Sequence, residues 1–326
     1  MESKAPRPDA TPSHPRASSM LQRTNLWWSE LPGNVRGSFW IIAAGLFMML
    51  MLMFIKILGT RLDITEILLF RQIIMMLVVV PTIAADFPAV LRSHNLKLQV
   101  TRIVVATVSM LSGFTAVVHL PLADATAIGF ARSLFVTIFA IIFLKEIAGP
   151  RRWAATLIGF AGVLLMLRPG GDGAISLYGL MAVAGAAGAG LVMVIIRHLS
   201  KVDRPVTILT YQALFVGLIM LAPAIWYWKT PTLHEAGLIL AMGLTAWAGQ
   251  MCNIQAYRAG EATAVAVLDY TRLIFAVLLG GIVFAQWPGI QTLAGAGVII
   301  AASLYTMHRE HTLGKKRAAE IVKPDA

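Results

Sequence analysis

The chain has 326 residues, of which 58% are hydrophobic and only 13% charged, with a mean hydropathy of +0.75. Soluble domains carry roughly 25% charged residues, so this composition excludes a soluble globular protein and points to an all-α integral membrane protein. The formal net charge of +11 could suit a nucleic-acid partner, but its placement along the chain accounts for it without one.

Residues 1–36, which open with "MESKAPRPDATPSHPRASS", are rich in Pro, Ser and charge and are expected to form a disordered tail. No signal peptide is read there, because the first apolar segment begins near Phe39 and lacks a small-residue cleavage site. Trp27 and Trp28 are expected at the approach to the membrane interface. Ten apolar segments follow, at 38–58, 64–84, 98–118, 122–144, 152–168, 175–196, 206–228, 234–256, 262–284 and 290–307. Most are near the ~20 residues that span a bilayer as a helix. None alternates as a membrane-barrel strand does.

Lys and Arg gather on alternate connections: the N-terminal tail, Arg92 and Lys97, Lys145 with Arg151 and Arg152, Arg197 with Lys201 and Arg204, Arg258, and the C-terminal "HREHTLGKKR". The loops between them hold only Lys56, Arg61, Arg168 and Lys229. The positive-inside rule then places both termini, including the basic tail 309–326, in the cytoplasm. The charge is a topology signal, and the expected surroundings are a lipid bilayer with no nucleic acid.

The two halves repeat. "ILLFRQI" from Ile67 matches "ILTYQAL" from Ile208, and "LMFIK" ending at Lys56 matches "MVIIR" ending at Arg197, both at an offset of 141. "DATAIGF" from Asp124 matches "EATAVAV" from Glu261 at an offset of 137, and "GFAGVLLM" from Gly159 matches "GAGVIIAA" from Gly295. The expected units are 37–170 and 171–308, each with five spans. An odd number inverts the second unit, an arrangement used by secondary transporters that bind substrate near the midplane, where the repeats meet. These offsets pair Arg132 with Asp269, Phe135 with Arg272, Arg71 with Gln212 and Phe70 with Tyr211.

The ninth segment carries "LDYTRLIF", in which Asp269 and Arg272 stand three residues apart and can pair on one helix face. Arg132 in the fourth segment and Arg71 in the second have no carboxylate in their own spans. A charge at a helix centre costs about 2.5–3.5 kcal/mol on the translocon scale, so these four side chains are expected to face a wet cavity or one another. Tyr211, Gln212 and Asn253 join them as candidate substrate-binding groups. One Asp against three Arg favours an anionic, zwitterionic or aromatic, electron-rich small molecule. Lys56, Glu66 and His119 read as interfacial groups. In the sixth segment Ala182, Ala186 and Gly190 recur every four residues as a close-packing face. That glycine-rich stretch lacks a Walker lysine and is not a nucleotide loop.

Cys252 is the one cysteine, so no internal disulfide forms, and no HExxH or G-x-S-x-G pattern is present. No cofactor, metal or catalytic set is read, and the chain is not read as an enzyme. A receptor or assembly protein that moves no solute is the alternative of another class.

The run "PLADATAIGFARSLFVTIFAIIFLKEIAGPRRWAATLIGFAGVLLMLRPG", residues 121–170, with "EILLFRQ" and "LDYTRLIF", resembles the drug/metabolite transporter superfamily in its ten-span EamA-type branch. The resemblance extends from about Ser38 to His308. It implies a carrier of ten helices in two inverted repeats, working by alternating access in a bacterial inner membrane. Family members move amino acids, nucleotide sugars, vitamins, S-adenosylmethionine and drugs, and this chain is similar to riboflavin and S-adenosylmethionine importers. A riboflavin-type importer is the expectation, with a metabolite or drug exporter of the same superfamily as the alternative and a homodimer left open. Lys145, Gln286 and Arg132 depart from the family pattern, where glycine, glutamate and a proline or small residue are usual.

Overall fold

The computed structural model describes residues 31–321 apart from 86, 89–90, 145–148 and 168–175. The expectations for the tail up to Glu30, for Trp27 and Trp28, and for Lys145 and Arg168 lie outside the described residues. Every element among the described residues is a helix. In chain order they are α1 Gly33–Leu58, α2 Ile64–Ala85, α3 Leu96–His119, α4a Leu122–Gly129 with α4b Arg132–Leu144, and α5 Pro150–Leu167. Then come α6 Leu177–Leu199, α7a Pro205–Tyr211, a π-helical turn Gln212–Val216, α7b Gly217–Trp226, and α8 Leu233–Ala259. Last are α9a Ala262–Asp269, α9b Arg272–Phe284 and α10 Ile290–Ile321. Nine of the ten spans are long and apolar enough to cross a bilayer, and α5 supplies a shorter apolar helix, Trp153–Leu167. Beyond the tenth span, α10 continues into the basic segment expected as a tail.

The sequence offsets near the fourth and ninth spans need correcting. Both spans break after an eight-residue half-helix, and α4a and α9a begin 140 residues apart, as do α4b and α9b. The structural register therefore sets Arg132 opposite Arg272, Phe130 opposite Tyr270 and Gly129 opposite Asp269. The earlier pairing of Arg132 with Asp269 was slipped by three residues, because "ATA" recurs in both segments and imitates a register. At the two breaks the equivalent rings of Phe130 and Tyr270 meet edge to face at 4.9 Å.

The same symmetry governs packing. α1 lies along α8 and α3 lies along α6, which are equivalent pairs once the halves are exchanged, while α5 pairs with its own counterpart α10. On α6, Ala182, Ala186 and Gly190 are all buried. A Cβ on Gly185 of the same helix would stand 2.8 Å from the Gly113 Cα of α3, so the two backbones run in near contact. Outward-facing Leu77, Val104, Leu157 and Ile282 leave an apolar belt suited to lipid.

Contacts between the repeats bridge each face of the bundle. On the face opposite the termini, Arg61 forms a two-point salt bridge with Glu235, which also completes a capping box with Thr232 at the start of α8. The Lys229 amide donates to Glu66 at 3.1 Å. On the basic face, buried Asp203 accepts hydrogen bonds from Ser93 Oγ at 2.5 Å, the His94 amide at 2.8 Å and Gln99 Nε2 at 3.0 Å. Burial alone would raise the Asp203 carboxyl pKa, but these bonds and the contact with the His94 ring together hold it below the ordinary value of 3.8. A depressed native pKa gives stability that is present above the unfolded value and lost as pH falls through the native one. The melting-temperature gap between wild type and Asp203→Asn is therefore expected to be widest near neutrality. It should narrow below about pH 4, as acid titrations of both proteins will show.

Two charges read as interfacial lie deeper than expected. Lys56 is 5% exposed, and its ammonium donates to the carbonyls of Val117, Val118 and Leu120 at the end of α3. That placement satisfies helix-terminal acceptors and sets a positive charge at the negative end of the helix dipole. Glu66 is fully buried beneath the Lys229 amide, which a reading by distance from the span end could not reveal.

Candidate functional site

A cavity of about 330 Å³ lies between the repeats, within the size range of small-molecule sites. Its wall is mostly apolar, with Met48, Met49, Met51, Met110, Phe114 and Phe130. Four polar side chains expected to act on substrate converge there: Arg71 from α2, Arg132 from α4b, Gln212 from the π-helical turn and Arg272 from α9b. The hydroxyls of Ser109 and Thr126 also line it, but both donate inward to main-chain carbonyls, of Gly185 and Leu122, at 2.7 Å.

Asp269 lies just behind this wall. One of its oxygens takes Arg272 NH2 across the helix break, and the other takes Arg132 NH2 at 3.4 Å. A single carboxylate thus serves both pseudo-equivalent arginines. It can do so because it occupies the last residue of α9a, where the first repeat has Gly129. Gly45 leaves room for this arrangement, since a Cβ there would stand 3.1 Å from Arg272 Cγ. The Asp269–Arg272 pairing anticipated from spacing is present, although it bridges a break instead of running along one continuous helix.

Arg71 is held differently. Its NH1 donates to Gln72 Oε1 at 2.9 Å, its guanidinium lies 5.8 Å from the Phe114 ring centre, and its Nε is buried without a partner. No carboxylate pairs with it among the described residues. The cavity therefore carries three guanidinium charges against one carboxylate, and its side-chain nitrogens are all donors. Chemically it can receive a molecule bearing carboxylate, phosphate or carbonyl oxygens, with polarizable methionine sulfurs against a flat ring.

Two anticipated residues lie elsewhere. Tyr211 donates its hydroxyl to the Leu91 carbonyl at 2.9 Å, towards the basic face, and Asn253 keeps a buried, unpartnered Oδ1 on α8. Neither is among the cavity-lining residues. Sequence reading also overlooked Arg102 and Gln99, both fully buried in α3. Arg102 was visible as a lone charge within the third apolar segment, and the test applied to Arg71 and Arg132 would have found it.

The sequence matches the EamA-like transporter family twice, over residues 35–168 and 176–307. Among curated proteins it is 27% identical over 264 residues to an S-adenosylmethionine uptake transporter of Rickettsia bellii, covering 80% of this chain and 90% of that one. It is 31% identical over 234 residues to a riboflavin transporter of Rhizobium johnstonii, covering 71% and 76%. A pseudopaline exporter of Pseudomonas aeruginosa is 27% identical over 252 residues, covering 77% and 88%. One solved crystal structure shares the fold with a TM-score of 0.51 at 17% identity, over 80% of this chain and 94% of its own. Two matched repeats, ten helical spans and an inter-repeat cavity agree in one conclusion: the chain belongs to the EamA-like transporter family.

Proposed function

We propose that this protein is a secondary carrier that moves a small organic metabolite across a bacterial inner membrane by alternating access, with both termini in the cytoplasm. The substrate class is an anionic, zwitterionic or electron-rich aromatic molecule, and uptake of a riboflavin-type vitamin is the leading reading. The observation that carries it is the set of Arg71, Arg132 and Arg272, with a Gln212 amide whose oxygen is already taken by Arg102, on an apolar, methionine-rich wall. An anion there offsets the charge excess, and a planar ring meets sulfur and phenyl surfaces. The basic connections on the side of the termini support the orientation. Export of a metabolite is the second reading, supported by the similarity to the pseudopaline exporter and by the capacity of methionine walls to repack around varied shapes.

The test is thermal unfolding of the purified protein against riboflavin, S-adenosylmethionine and simple aromatic carboxylates. A ligand that binds only the folded state raises the melting temperature by mass action. Arg71→Gln is expected to weaken a bound anion by about 10- to 100-fold, the equivalent of one charge-assisted hydrogen bond. Its ligand-free stability should stay close to wild type, because Arg71 has no carboxylate to abandon. An unchanged ligand shift in Arg71→Gln would contradict the assignment.

A further inference from the structure

Arg102 of α3 stands outside the cavity and is fully buried. Its three nitrogens each find an oxygen: Nε donates to Gln99 Oε1 at 3.1 Å, NH1 to Gln212 Oε1 at 2.9 Å and NH2 to the Ile208 carbonyl at 2.9 Å. No carboxylate pairs with it among the described residues. A guanidinium has only donors, so the Gln212 oxygen must face Arg102 and the amide nitrogen is left for the cavity. Gln99 is fixed by the same logic. Its oxygen takes Arg102, and its nitrogen donates to Asp203 Oδ2 at 3.0 Å. Asp203 in turn accepts from Ser93 Oγ and the His94 amide on the basic face. A continuous chain of hydrogen bonds thus links the surface contact to the cavity, with Arg102 donating towards both ends and Asp203 accepting from both sides.

Two features make this chain more than local support. Gln99 to Asp203, and Arg102 to Gln212 and Ile208, all cross between the repeats, so rocking one half against the other strains these bonds. The chain also ends on the π-helical turn of the seventh span, a feature frequent at functional sites. There Gln72 Nε2 of α2 donates to the Gln212 carbonyl at 3.0 Å, so first-repeat side chains hold the turn through both Ile208 and Gln212. In the second repeat the corresponding stretch of α8, Ile239 to Met242, is apolar. The device therefore serves the basic face alone.

We propose that Arg102 is a positioning residue that couples the cavity to closure of the basic face. It orients the Gln212 amide towards substrate and, through Gln99 and Asp203, ties that orientation to the contact between the α2–α3 and α6–α7 connections. The proposal rests on the carrier reading for its purpose, but its test needs no substrate.

Hydrogen exchange of the full-length, ligand-free protein is read at two places, residues 91–99 on the basic face and 229–235 on the opposite face. In Gln212→Leu, altered only at the cavity end, exchange across 91–99 is expected to rise about tenfold, as for loss of one buried hydrogen bond. Exchange across 229–235 should stay at the wild-type rate. Arg102→Met should behave in the same way. Gln212→Glu keeps an oxygen for Arg102 and should match wild type across 91–99. If Arg102→Met does not fold, Gln212→Leu and Gln212→Glu decide alone. Unaltered exchange across 91–99 in Gln212→Leu, or equal acceleration on both faces, overturns the proposal. Absence of transport in a separate flux assay would instead remove the carrier reading and leave the coupling intact.

Discussion

Asp269→Ala is expected to lower stability by about 3–5 kcal/mol, the usual consequence of removing one partner from a buried ion pair. Both Arg132 and Arg272 lose their carboxylate in this variant; Arg272, 12% exposed, is left buried without a counter-ion, while Arg132, 37% exposed, is partly open to the cavity. The repulsion between two guanidinium groups at the helix breaks is then unopposed. The triple variant Asp269→Ala, Arg132→Gln, Arg272→Gln should regain most of that loss, because it removes the charges along with their counter-ion. It should nevertheless bind an anion more weakly than wild type, since only Arg71 of the three cavity arginines remains. Thermal unfolding of the two variants separates charge from geometry. If the triple variant is as fragile as the single one, Asp269 acts as a local brace for the broken ninth span.

The second large effect is steric. Gly185→Ala places a Cβ 2.8 Å from the Gly113 Cα and N, closer than real Cβ atoms come. The atoms met are main-chain, so α3 and α6 must separate, at an expected cost of about 1–3 kcal/mol. Both glycines line the cavity, so binding should suffer with stability. Gly113→Ala supplies the contrast. Its nearest neighbour, Gly185 Cα, is 3.9 Å away, and alanine is the better helix former by about 1 kcal/mol. That variant should be neutral or stabilised. Equal losses in the two variants would mean that the α3–α6 approach is not what limits substitution here.

The span pattern was legible because each helix buries its own hydrogen bonds and must be apolar over its whole length. For the same reason a charge inside a span stood out, and Arg71, Arg132, Asp269 and Arg272 could be singled out. Partnership across the fold was less visible. Arg132 finds its carboxylate in the other repeat, a contact made by a three-dimensional symmetry that local spacing does not encode. The breaks after Gly129 and Asp269 carry no proline, and without them the repeat register slipped to the recurring "ATA". Lys56 and Glu66 sit near span ends, where distance along a helix says nothing of what folds over them. The π-helical turn at Gln212 has no sequence signature of its own; it is held by Gln72 and Arg102 from the other repeat.

On the proposed reading, the arginine-lined cavity between the repeats carries a solute across the membrane. The most direct measurement is flux of riboflavin and of aromatic carboxylates into vesicles containing the purified protein, wild type beside Arg71→Gln. Saturable flux in wild type, with a half-saturation concentration raised about 10- to 100-fold in Arg71→Gln, is the expected result. Flux that the substitution leaves untouched would contradict it.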